Sequence, residues 1–134
     1  MKKKGIYLIQ PHTKVLKIIY NQKDAYKVKD PSTILKVNKN NIKFGQSNDL
    51  EKREEEFKEI FGSINFIEVV LINDSEMLTE FKNIIKINFE KYCLKSLKGE
   101  KKLEWMSGIT LVQATNIILN EFENFNKKEK YDSK

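Results

Sequence analysis

Four side-chain types in this sequence have the chemistry to handle a phosphodiester, and they recur in a telling order. A tyrosine closes Gly5-Ile6-Tyr7, a lysine opens Lys43-Phe44-Gly45, Arg53 follows Gly45 by eight residues, and Glu76 and Glu80 come later. A phenolic oxygen orients or deprotonates water, and a guanidinium holds phosphate oxygens in its fork. A carboxylate ligates a hard cation such as Mg²⁺, which neutralises the charge that builds on phosphate and leaving oxygen. Glu76 and Glu80 lie one helical turn apart, so both sit on one side of any helix that carries them. Each residue also has a plainer role. Arg53 stands among Glu51, Glu54, Glu55, Glu56 and Glu59, where it suits a surface ion pair. A solvent-facing glutamate near a helix start suits the dipole, Glu76 above all.

The elements that must position these groups are legible from pattern. Residues 4–10 read as a strand from their β-branched and aromatic content, and Pro11-His12 as a turn. Residues 15–20 form a second apolar run, expected as the hairpin partner of the first. A polar stretch over 21–40 carries the breaker Asp30-Pro31-Ser32, with a short strand over 33–37. Residues 42–46 are the next strand. Ser47-Asn48-Asp49 starts a helix over 50–61 whose apolar side is Leu50, Phe57, Ile60 and Phe61, and Gly62 ends it. Residues 64–72 are nearly continuous in apolarity, which predicts a strand buried on both faces. Asn73-Asp74-Ser75 caps a helix to about Cys93, with Met77, Leu78, Phe81, Ile84, Ile85, Phe89 and Tyr92 at helical spacing. A Lys-rich loop around Gly99 leads to Glu104-Trp105-Met106, and a third helix runs from about Thr110. The fold class is α+β: a small, mostly antiparallel sheet from 4–10, 15–20, 42–46 and 64–72, flanked by three helices. One domain over 1–126 is expected, with a charged tail over 127–134 that frays.

Composition narrows the class. The chain has 134 residues, 40% hydrophobic and 33% charged, which suits one globular domain. Its formal charge of +6 favours a polyanionic partner. Lys43, Lys98, Lys101 and Lys102 are the lysines best placed by sequence to touch phosphate. Cys93 is the only cysteine and His12 the only histidine, so an internal disulfide is impossible and a zinc site is poorly supplied. Cys93 lies on an apolar helix side and reads as a core thiol. No run is long enough to span a membrane or to serve as a secretory leader, so a cytoplasmic protein is expected.

Gly5-Ile6-Tyr7, Lys43-Phe44-Gly45 and Asp49-Leu50-Glu51-Lys52-Arg53 stand in the order found in the GIY-YIG nuclease superfamily, and the chain resembles its phage and large-virus branch. Glu104-Trp105-Met106 adds to the likeness. The resemblance covers about residues 4–106. It implies a metal-dependent endonuclease that cuts DNA with Tyr7, Arg53 and Glu80, Glu80 holding Mg²⁺ or Mn²⁺, with a phage, viral or mobile-element origin. It also implies an insertion at about 21–40. Lys43 stands where fuller motifs carry tyrosine, and Phe57 where many relatives carry histidine. Those two departures support the alternative, a DNA-binding module of the same fold that does not cleave.

If the net charge drives association, affinity for duplex DNA should fall at least about tenfold between roughly 50 mM and 200 mM salt, through counterion release. Fluorescence anisotropy across that range checks it, and an affinity indifferent to salt would remove the electrostatic argument.

Overall fold

The structure, a computed structural model, describes residues 2–12, 16–19, 34–95 and 102–132. Its core is a five-stranded antiparallel sheet built from β1 (Gly5–Pro11), β4 (Ile42–Ser47), β5 (Ile64–Leu71), β6 (Cys93–Lys95) and β7 (Lys102–Met106), in the order β5-β1-β4-β7-β6. Helix α1 (Leu50–Phe61) covers one face, while α2 (Ser75–Phe89) and α3 (Leu111–Asp132) cover the other. The fold is therefore α+β, as the sequence pattern implies.

Two strands fall outside this sheet. β2 (Leu16–Ile19) pairs antiparallel with β3 (Ile34–Val37) as a separate two-stranded ribbon. The run expected over 15–20, described at 16–19, is thus not the partner of β1; that place belongs to β4 on one side and β5 on the other. The expected breaker at Asp30-Pro31-Ser32 lies outside the described residues. The sheet instead gains β6 and β7, because α2 stops at Phe89, a short 3-10 turn follows over Glu90–Tyr92, and Cys93 opens a strand. Cys93 is accordingly half-buried in a strand, not a fully buried helix thiol, and its Sγ donates to the Phe89 carbonyl.

β1 lies inside the sheet between β5 and β4, and its alternation sorts the two cores. Ile6 and Leu8 join Phe44, Leu78, Phe81, Ile85, Phe89 and residues of α3. Tyr7 and Ile9 join Leu50, Phe57, Phe61 and Trp105 on the α1 side. β5 is an edge strand with Asn65, Glu68 and Leu71 exposed, so its apolarity does not reflect burial on both faces. Ile60 is also exposed, on the flank of the α1 stripe. Both helix starts are capped as their sequences suggest: Asp49 accepts from the Lys52 amide and Asp74 from the Met77 amide. α3 runs from Leu111 to Asp132, so the charged tail expected from 127 is helical as far as 132.

Two glycines set how β1 meets its neighbours. Between Ile6 and Tyr7 the β1–β5 register shifts, a bulge that takes up Val69. A Cβ on Gly5 would lie 2.1 Å from the Val70 carbonyl oxygen. On the other side Gly45 pairs with Tyr7, and a Cβ there would lie 2.4 Å from the Tyr7 hydroxyl oxygen. Glycine is required at both places by contact. Gly5→Ala should lower the thermal midpoint more than Gly45→Ala, because it collides with backbone while Gly45→Ala collides with one side chain. Each should cost about 1–3 kcal/mol; melting curves that leave either variant unchanged would contradict the packing described.

Candidate phosphate-binding site

Tyr7 is only 2% exposed. Its ring stacks on Phe66 at 5.3 Å and tilts against Phe57 at 5.5 Å, lying across the vacant space at Gly45. That placement carries the hydroxyl to Lys43, whose Nζ donates to it at 3.3 Å. The ammonium also sits 5.4 Å from the Tyr7 ring centre and 5.8 Å from that of Phe57, within cation–π range. The Tyr7 oxygen accepts from lysine, and its own O–H has no acceptor among the described residues.

Lys43 lies where the sheet opens. β4 and β7 pair only at Ile42↔Met106 and Lys43↔Trp105, anchored by Asn41, whose side-chain amide donates to the Met106 carbonyl at 3.1 Å. Glu104 is one residue beyond the last pair, and its carboxylate fills the opening. Oε1 meets Lys43 Nζ at 3.5 Å, while Oε2 is paired with Lys82 of α2. One carboxylate therefore bridges two ammonium groups that come from opposite faces of the sheet. Lys43 is 15% exposed, Lys82 22% and Glu104 33%. The cluster is at the boundary with water.

Arg53 sits three residues after Leu50 and four before Phe57, on the stripe of α1 that faces the Tyr7 side of the sheet. Its Nε is buried and has no hydrogen-bond partner among the described residues. A buried donor left open in this way is uncommon. Tyr7 and Arg53 thus share a face, as the expected chemistry requires, but no hydrogen bond joins Arg53 to Tyr7, Lys43 or Glu104 among the described residues.

Glu80 is elsewhere. The buried stripe of α2 is Leu78, Phe81, Ile85 and Phe89, and Glu80 is on the opposite, exposed side of the helix. Glu76 is exposed as well. The expected cleft of Tyr7, Arg53 and Glu80 is not what this arrangement forms; α2 brings Lys82 to the site instead. Its signal was available, since Lys82 is four residues after Leu78 and three before Ile85. Among the described residues no group of three or more His, Cys, Asp and Glu side chains is gathered as a metal site. Lys98 and Lys101 lie outside the described residues, and Lys102 is placed at the start of β7. Trp105 is 4% exposed and packs edge-on to Phe61, so it serves the core and not a stacking platform. His12 bonds to Ser63 and Asn65 across the β1–β5 end of the sheet. No helix among the described residues is long and apolar enough to cross a membrane.

Comparison with protein-family models, curated proteins and solved structures yields no match to this chain.

Burial pushes the Glu104 carboxyl up, but the charge of Lys43 and the hydrogen bond and charge of Lys82 outweigh it, holding the group below the usual carboxylate range. A carboxyl depressed in this way contributes stability above its unfolded value, near 4.5. That contribution is lost as pH falls through the folded value. Glu104→Gln should therefore melt below wild type near neutral pH, with the gap closing as both are acidified. Thermal melts from about pH 7 to about pH 3 test this; a gap that does not change with pH would mean the ion pairs contribute nothing.

Proposed function

We propose that this chain is a nucleic-acid-binding domain of the GIY-YIG type, which grips backbone phosphate at the opening between β4 and β7. The observation that carries this reading is the meeting of Lys43 and Lys82 on one carboxylate beside the Tyr7 hydroxyl. Two cations share one anion there, a local surplus of positive charge in poorly exposed surroundings, and Arg53 stands on the same side of the sheet as Tyr7. There a hydrogen bond to an anion is stronger than in bulk water. The five glutamates of α1 set a direction of approach, because phosphate is repelled from that helix and drawn toward β7 and α2. The +6 net charge acts in the same sense.

Metal-dependent endonuclease activity on DNA is the second reading, favoured by the shared face of Tyr7 and Arg53. It asks for a carboxylate near the phosphate, and Glu104 is nearer to that role than Glu80. Mg²⁺ or Mn²⁺ on Glu104 would have to displace at least one lysine, since a cation and an ammonium compete for the same oxygens. The Tyr7 hydroxyl would then orient water, and Arg53 would hold the phosphate through charge-assisted hydrogen bonds.

Lys43→Met and Lys82→Met should each weaken duplex binding several-fold, evenly across sequences, and reduce the salt slope by about one. Supercoiled plasmid should stay uncut in Mg²⁺ or Mn²⁺. Binding that ignores both substitutions would overturn the proposed site. Nicking that Glu104→Ala abolishes and Glu80→Ala spares would move the assignment to the nuclease with Glu104 as ligand. Nicking lost only in Glu80→Ala would restore Glu80 to that role.

A further inference from the structure

We propose that Glu104 is an internal occupant of the phosphate position, and that a phosphate of the nucleic-acid backbone displaces it from Lys43 and Lys82. The inference rests on the nucleic-acid reading above and adds how the site is regulated. A carboxylate and the non-bridging oxygens of a phosphodiester are alike in the features two ammonium groups read. Each offers two acceptor oxygens on one centre and a single negative charge. Glu104 uses both oxygens in that way, Oε1 on Lys43 and Oε2 on Lys82.

The surroundings make the exchange possible. Glu104 lies just past the last β4–β7 pair, with no strand partner on β4 to fix it, and a third of its side chain reaches water. Swinging outward costs it two ion pairs but restores its hydration. The lysines behave differently. Lys43 stays held by the Tyr7 hydroxyl and by the Phe44 carbonyl at 3.4 Å, so it keeps its position when the carboxylate leaves. An incoming phosphate finds one fixed ammonium, one from α2, and a Tyr7 O–H that has no acceptor among the described residues. Affinity is then set by a competition, in which the domain's own carboxylate must be displaced each time a phosphate enters.

The test compares wild type, Glu104→Gln and Glu104→Gln/Lys82→Met for anisotropy of a fluorescein-labelled duplex over a range of salt. Glu104→Gln should bind on the order of tenfold more tightly, with a salt slope steeper by about one. The added Lys82→Met should cancel most of that gain. An unchanged or weaker affinity in folded Glu104→Gln, with wild type still binding, overturns the displacement while leaving the nucleic-acid reading intact. Duplex binding by neither protein overturns both. A measurement on unsubstituted protein guards against a misfolded variant: the Glu104 side-chain carboxyl carbon, followed by ¹³C NMR, should shift on adding duplex and titrate at higher pH once its lysines are taken. A Glu104 signal and titration unmoved by saturating duplex would also overturn the proposal.

Discussion

The ring of Tyr7 lying over the bare backbone of Gly45 is the contact on which the arrangement depends. A β-strand offers a large aromatic side chain little room when its cross-strand neighbour also carries a side chain on the same face. With glycine there, the ring reaches across β4 and its hydroxyl arrives at Lys43. Phe57 and Phe66 then hold the ring from two directions, which fixes α1 against the same face. β1 alternates without a break, so that Tyr7 faces α1 while Ile6 and Leu8 face α2 and α3, and the extra residue of the bulge, Val69, is carried by β5. Two short motifs separated by a long stretch of chain thus form one packing unit, in which each glycine matters for what it lacks.

Much of this was legible in the sequence, and the failures have physical causes. The limits of α1 follow from a side-chain cap at Asp49 and a glycine at its end, both local signals. The strands at 4–10, 42–46 and 64–72 were likewise carried by local composition. Partner choice was not, because a short apolar run such as 16–19 suits any free edge, and the ribbon with β3 is settled by tertiary pairing. β6 escaped because Phe89, Tyr92 and Cys93 continue a helical spacing that the chain abandons at a 3-10 turn. β5 looked doubly buried because Ile, Val and Leu also suit an edge strand whose outer face is only partly covered.

The Glu80 expectation shows a sharper limit. Motif reasoning selected a residue by type and by its neighbours, whereas a helix presents residues by phase. Leu78, Phe81, Ile85 and Phe89 fix that phase, and Glu80 falls opposite them while Lys82 borders the sheet. Replacing acid by base at the α2 border reverses what the site can attract. A carboxylate there would collect a cation; an ammonium collects an anion, and the anion present is Glu104.

Stability alone does not ask for this cluster. Removing ammonium and carboxylate groups from water costs several kcal/mol per ion when burial is deep, and well-packed apolar side chains of similar volume often do as well or better. At the partial exposure seen here the cost is smaller, and so is the gain from each pair. Apolar side chains at 43, 82 and 104 would fill the opening between β4 and β7 with no desolvation cost of this kind. What they would remove is a pair of held ammonium groups beside a phenol, joined by one carboxylate that is a third exposed. A lysine fixed by Tyr7 and a main-chain carbonyl keeps less freedom to lose when a ligand arrives, so binding there is less opposed by entropy than at a loose surface lysine. The anion proposed above would give the charges at this opening a role that the fold alone does not require.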